Sequence, residues 1–478
     1  MNHHHDPFIH CLPVEISSKI FIAYVDDINS TFDAYNAKGL EKWSPALHLS
    51  SICAQWRNIA RCTAQIWRVI RVPLRQKPVN VKLLTELATE LFSLSGQHTL
   101  SLGLYLVYYD RYLFRDYIER LDSLDDLPAI TRAVGNRCRD IAFHGLPLEP
   151  IHYLLSGLDT PNLKSFSICR PYGDFESNYH YRFTPKDVSL LASPQLEEVE
   201  IFSGTRLLPS LQINWNNITT TRLYDINLNN TFRVLLLAPR LKTYTISYGE
   251  FGFPRDDGSW SPLPLDLPLT HTTLESLEFY SISHDAVAEF LQAVNFPSLK
   301  ELKFFAPRGY GESPVKHLIS FFERSPCPLL SFSIFLHYGT TYQEILNLFN
   351  ALPTLTRFSI NVPGADAFMT DFFLRKLVQP TSGSINDMVA PRLESFSYSG
   401  LLNFTWPAFL EILEPPPRFL PHGVEHKRPR PLRKVSLRLK AEQTIPVDDD
   451  VLSKFQESQV TVNLETVPIG EITPFTWW

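Results

Sequence analysis

Pro297-Ser298-Leu299-Lys300-Glu301-Leu302-Lys303-Phe304 is a phrase that this chain repeats. Its form is Pro-x-Leu-x-x-Φ-x-Φ, where Φ is apolar. The same form returns at residues 161–168, 194–201, 239–246, 353–360 and 391–398. Versions without the proline centre on Leu223, Leu274, Leu329 and Leu432, and a weaker one joins Cys138, Ile141 and Phe143. The closing Φ-x-Φ has a period of two, which predicts a short strand with two side chains turned inward. The leading leucine turns in from the loop before it.

Working outward, amphipathic stretches precede many copies. Residues 151–158, 286–294, 315–322 and 342–352 carry apolar side chains at three- and four-residue spacing and predict helices. A helix–loop–strand unit cannot bury its apolar face alone. Many copies must stack, and the strands then form a parallel sheet. The chain resembles a leucine-rich-repeat array over most of residues 130–440. It departs from that family's pattern in two ways. The leading leucines are unevenly spaced, from 18 residues (Leu223 to Leu241) to 39 (Leu393 to Leu432), and the asparagine that usually follows the strand is replaced by Pro171, Gly204, Gly249, Pro307 and Pro363. An irregular array with long insertions is expected, with proline-rich insertions at 251–271 and 414–433. The competing reading, a conventional doubly wound α/β sheet, does not explain why one signature introduces so many strands.

The N-terminal passage differs. Pro13 suits a first helical turn. Ile16, Ile20 and Tyr24 recur four apart, with Phe21 and Val25 beside them. Residues 26–44 read as a loop. After Pro45, Leu49, Ile52, Cys53, Trp56, Ile59 and Ala60 trace one helical face, and Ile66 and Trp67 close a short third element. Three such helices make a marginal core that gains from packing on something else. Four pieces in order, Leu12-Pro13-Val14-Glu15, Ile20-Phe21, Ile52-Cys53-Ala54-Gln55-Trp56 and Ile66-Trp67, make residues 9–72 similar to an F-box, with a longer central loop like that of fungal members. The resemblance implies docking to a Skp adaptor and, through it, to a cullin scaffold. It also implies that Leu12, Pro13, Ile16, Ile20, Leu49, Ile52, Trp56 and Trp67 face the adaptor or support that face. The residues alone leave a plain three-helix cap open as the other reading.

The expected fold class is therefore α/β: a small N-terminal three-helix F-box-like module, then an irregular leucine-rich-repeat solenoid with a parallel sheet and outer helices. The boundaries read as a flexible tail at 1–8, the module at 9–72, a linker and N-terminal cap at 73–129, the array at 130–445, and a C-terminal cap and tail at 446–478.

Composition narrows the function. Of 478 residues, 44% are hydrophobic and 20% charged, which suits a folded protein. A net charge of -6 gives no electrostatic case for nucleic-acid binding. The apolar runs fall short of a membrane helix, and six scattered cysteines suit a reducing cytoplasmic or nuclear setting. The basic run Lys427-Arg428-Pro429-Arg430 reads as a solvated loop or as a nuclear-localisation signal. Phosphate-loop, zinc-protease and nucleophile-elbow motifs are missing. Gly309-Tyr310-Gly311 is a lone turn, and His3, His4, His5, His10 and Cys11 belong to a tail. The chain reads as a non-enzyme with no cofactor or metal, whose partners are the adaptor and an unidentified protein substrate.

In such an array, residues alternating with the inward pair line the sheet's other face. Glu198, Glu200, Asp225, Glu278 and Glu301 bring acid to its earlier part, and Arg357, Lys434 and Arg438 bring base later. The position after the second Φ holds Phe202, Tyr280, Phe305 and Phe335. Two readings stand: aromatic anchors for a partner with a basic segment, aided by Glu200 and Glu278, or rings covered by the insertion loops.

Overall fold

The computed structural model describes residues 12–30, 44–74, 81–106, 127–146, 151, 154–155, 160–169, 188–191, 193–202, 208–247, 268–280, 284–305, 314–336, 340–362, 369–378, 389–413, 432–440, 447–458 and 460–467. The N-terminal tail with its histidines and Cys11, most of the loop at 26–44, most of both proline-rich insertions, the Gly309 turn and the five positions that replace the asparagine lie outside them. The chain forms two compact units, residues 1–223 and 224–478.

The first unit opens with α1 (Val14–Ser30), α2 (Pro45–Ile52), α3 (Ala54–Cys62) and a 3-10 turn, Ala64–Trp67. The single helical face expected from Leu49 to Ala60 is broken. Cys53 is extended (φ -154°, ψ 173°) and ends α2, and its sulfur accepts the Trp56 N–H to cap α3. A residue at an N-cap has non-helical backbone, so the same cysteine that continues the apolar spacing interrupts the helix.

Six parallel strands follow: β1 (Val69–Leu74), β2 (Leu100–Leu106), β3 (Cys138–His144), β4 (Ser165–Cys169), β5 (Glu198–Ile201) and β6 (Thr220–Tyr224). Between them lie α4 (Val81–Leu94) and α5 (Leu127–Val134). The ladder thus starts at Val69 rather than near residue 130. Ile70 and Val72 align with Leu102 and Leu104, and these with Ile141 and Phe143. These first two rungs lack the leading Pro-x-Leu, so the signature passes over them.

Among the described residues, the long ladder of the second unit has eight strands in sequence order, each parallel to the next: β7 (Thr243–Ser247), β8 (Ser276–Tyr280), β9 (Glu301–Phe305), β10 (Ser331–Phe335), β11 (Arg357–Asn361), β12 (Ser395–Leu401), β13 (Lys434–Lys440) and β14 (Thr461–Val467). Its helices are α6 (Leu228–Leu237), α7 (His284–Gln292), α8 (Val315–Arg324), α9 (Tyr342–Asn350), α10 (Asp371–Val378), α11 (Trp406–Leu413) and α12 (Asp449–Glu457). Each unit is an α/β stack of repeated coils, as the signature requires.

The signature has a mechanical cause. The Leu163 N–H donates to the Thr160 carbonyl at 3.1 Å, and the same turn closes at Leu196, Leu241, Leu299, Leu355 and Leu393. In all six the proline sits second in the turn, where its fixed φ is already correct. The leucine is delivered inward: Leu163, Leu241, Leu299 and Leu355 are all 0% exposed. The following residue ties each coil to the last; in the second unit Glu275 bonds to Lys242, Lys300 to Glu275, and Leu330 to Lys300.

One register differs from the sequence reading. Leu223 does not lead a coil. It pairs with Ile201 as the second inward residue, with Thr221 opposite Val199 as the first. The leading residue is Ile218, whose N–H donates to the Trp215 carbonyl in the same turn. Ile218 stands 22 residues after Leu196 and 23 before Leu241, so the array is more regular here than the leucines alone suggest. A threonine at an inward position and an isoleucine in place of leucine concealed the copy.

At the C-terminal end, α12 and β14 match the expected last helix and strand, and Phe455 packs against Trp406 and Phe409 with ring centroids 6.0 Å apart.

Candidate interaction surfaces

The helical module separates two stripes that the sequence shows side by side. Ser17, Phe21 and Val25 are 1%, 1% and 2% exposed and face the interior. Ile16, Ile20 and Tyr24 keep 42%, 50% and 38% of their surface, and Ile52 keeps 49%. Of the eight residues that the F-box resemblance points to, Pro13, Ile16, Ile20 and Ile52 are exposed, Leu12 and Trp56 are half-buried, and Leu49 and Trp67 are buried. The buried pair builds the module. Trp67 Nε1 donates to the Ala60 carbonyl at 2.8 Å, and the Trp56 ring leans on Phe21 with centroids 4.9 Å apart. Trp67 and Leu49 are therefore part of the module's own core. Ile16 and Ile20 stand one turn apart on α1, and neither is sealed in the module's core.

The module is also fastened to the first rung. Arg71 on β1 donates to Asn29 Oδ1 on α1 at 2.6 Å, and Ser44 Oγ donates to the Val69 carbonyl at 3.4 Å.

The sheet's outward columns differ along the chain. In the first unit, Ser167 donates to Glu200 Oε2 at 3.1 Å, and Phe202 is half-buried. Tyr105 and His144, three and two rungs before Phe202, stack at 4.5 Å with planes 8° apart. Burial pushes the Tyr105 phenol up to about 12. Burial, reinforced by the Arg71 charge, pushes the His144 imidazole down to about 4. Sequence reading missed this pair because it started the ladder too late; the alternation in Leu100-Ser101-Leu102-Gly103-Leu104-Tyr105 was the available signal. Asp225 lies beyond β6 with φ 55°, and the outward residue opposite Glu200 is Arg222.

In the second unit, Tyr280 and Phe305 are half-buried and stack at 4.9 Å with planes 10° apart. Phe335, next in their column, is only 3% exposed and offers no open ring. The acids are engaged locally. Glu278 meets Lys303 at 2.7 Å and accepts from Thr245 at 3.1 Å, and Glu301 accepts from Ser276 at 3.3 Å. Glu278 and Glu301 share one cation, Lys303, so part of their charge is answered within the ladder.

Among the described residues, no group of three or more His, Cys, Asp or Glu side chains is placed to hold a metal ion, and no helix is long and apolar enough to cross a membrane.

No family model matches the chain, and no curated protein matches it. Solved structures similar to it include the yeast Rad7–Elc1 complex, at 16% identity over 82% of this chain and 89% of that one, with a TM-score of 0.37. The leucine-rich repeat-containing protein LegL7 of Legionella pneumophila is 12% identical over 82% and 98%, with a TM-score of 0.36. A Bacteroides fragilis protein is 14% identical over 72% and 77%, with a TM-score of 0.33. Likenesses this remote carry no functional inference, so the repeat architecture stands on the ladder's own register.

Proposed function

We propose that this protein is a non-enzymatic substrate receptor of a Skp–cullin–F-box ubiquitin ligase. The helical module docks the Skp adaptor, and the repeats hold a protein substrate. The observation that carries this reading is the exposure of Ile16 and Ile20 on α1, of Ile52 on α2 and of Pro13, on helices that otherwise match the F-box motif in order. Three exposed aliphatic side chains on so small a module gain stability only when a partner covers them, at roughly 1.5–3 kcal/mol for each side chain fully buried. The receptor works by proximity: tethering raises the effective concentration of substrate lysines near the activated ubiquitin carrier.

A second reading has its own observation. The bonds from Arg71 to Asn29 and from Ser44 to Val69 make the module a cap on the first rung, which a repeat scaffold without ligase function also needs. Co-expression with a Skp adaptor and size-exclusion chromatography separates the two. The receptor reading expects a stoichiometric complex that Ile16→Ser/Ile20→Ser abolishes while the melting temperature holds. A folded wild-type monomer that never co-elutes with the adaptor leaves the cap as the function of the module.

A further inference from the structure

The register of the second unit places Ser333, Ser359, Ser397 and Ser436 in one outward column, each beside the next on adjacent strands. Neighbouring strands lie about 4.8 Å apart, so the hydroxyls form a continuous row. All four are half-buried. Among the described residues, none of the four hydroxyls has a hydrogen-bond partner. Earlier strands behave differently: the outward hydroxyls of Thr245 and Ser276 are both taken by glutamates.

The charge around this row is one-sided. Arg357 on β11 and Lys434 on β13 share the column before it, separated by Ser395, and both are exposed. Neither forms an ion pair among the described residues. The outward positions of β10 to β13 carry no acidic side chain; Arg438, which is also among them, is held by Glu465 on β14 at 3.2 Å. Serines are short, so the two long cations stand above a low polar floor. The stacked Tyr280–Phe305 pair lies on the two strands before it and supplies a flat apolar neighbour.

We propose that the outward face of β10 to β13 binds an acidic peptide segment. The proposal rests on the reading of the repeats as the partner-holding surface and names the chemistry of that partner. Carboxylates accept hydrogen bonds from the serine row and pair with Arg357 and Lys434. Charge-assisted bonds of this kind are about twice as strong as neutral ones. A serine donates one hydrogen bond and accepts two, so the floor also meets peptide N–H and carbonyl groups. Nucleic acid fits less well, because a short cluster of cations on a chain of net charge -6 does not make an extended phosphate track.

The test uses the full chain and fluorescence anisotropy. The probe is a labelled peptide of alternating Glu and Gly ending in Leu. Comparison probes carry Lys, or phosphoserine, in place of Glu, and a labelled oligothymidylate is the fourth. The acidic peptide is expected to bind saturably, more weakly as salt rises. Arg357→Glu/Lys434→Glu should weaken it by about tenfold or more at unchanged melting temperature. Ser359→Val/Ser397→Val should weaken it less. Four results would overturn the proposal: no saturable binding of the Glu peptide at low salt, equal binding of the Lys peptide, indifference to the double charge reversal, or binding confined to the phosphoserine or oligothymidylate probe. The charge-reversed variant should still co-elute with the adaptor. A wild-type chain that forms the adaptor complex but does not bind the Glu peptide rejects this surface alone. A missing adaptor complex with intact peptide binding rejects the ligase reading and leaves the surface.

Discussion

Helix α1 and strand β9 each carry apolar side chains at the period of their own structure, yet they treat them in opposite ways. On β9, Leu302 and Phe304 are both 0% exposed, and Leu299 before them is as well. On α1, one row of three is sealed and its neighbour, Ile16, Ile20 and Tyr24, stays open. Repetition explains the first case, because every coil has another coil to cover it. The module has no second copy of itself, so a side chain beyond its small core stays in water unless something else arrives. The difference teaches where to look for function in a repeat protein: at apolar residues that the repetition leaves uncovered, and at polar residues that the ladder leaves unpaired.

The comparison can be broken or sharpened in order of expected effect. Phe304→Ala removes a buried ring that meets Phe279 edge-on at 6.1 Å and should cost about 3–5 kcal/mol by urea denaturation. A cost near that of an exposed site would mean that the second unit's stack is not close-packed.

Acid comes next. The folded pKa of His144 lies below its ordinary value near 6.5, so between those pH values the unfolded chain takes up a proton that the folded chain refuses. Its contribution is complete above about pH 6.5 and is lost as pH falls toward 4. The loss is at most about 2–3 kcal/mol, because the half-buried ring keeps some water. His144→Gln should flatten this part of the stability curve from pH 7 to 4, and parallel curves would show that the outward column of the first unit is open rather than sealed.

A smaller effect of opposite sign is expected at Thr221. It is 0% exposed at an inward position, and its hydroxyl finds no partner among the described residues. Thr221→Val keeps the shape, removes the orphan group and should stabilise by about 1 kcal/mol, measured by the denaturant midpoint. Destabilisation would return Leu223 to the leading position.

The smallest effect on stability belongs to the open stripe. Ile16→Ser/Ile20→Ser should move the unfolding free energy by about 0.5 kcal/mol or less while abolishing adaptor binding. A loss like that of Phe304→Ala would place the stripe in a core and end the contrast between α1 and β9.

The fold was legible in the sequence wherever one short phrase carried its own geometry. Pro-x-Leu closes a turn and aims a leucine, and Φ-x-Φ makes a strand, so each copy could be read without its neighbours. The reading failed where a copy used other residues for the same positions. Thr221 and Ile218 hid one coil, and the first two rungs, Ile70 with Val72 and Leu102 with Leu104, lacked the Pro-x-Leu phrase. The candidate surfaces were less legible. Aromatic and acidic columns could be listed from the alternation, but their exposure and pairing depend on neighbours 20 to 40 residues away in the chain. Phe335 proved sealed, and Glu278 proved committed to Lys303.

What the amino-acid order determined by itself is local: turn, strand, amphipathic helix and the period that forces coils to stack. A residue's φ preference and its apolarity act within a few positions and need no partner to be read. What only the tertiary structure decided is which of two equivalent apolar stripes on α1 turned inward, which serines lined up into an unpaired row, and which charges met. Those outcomes depend on register between segments far apart in sequence, where one residue of shift sends every side chain to the other face.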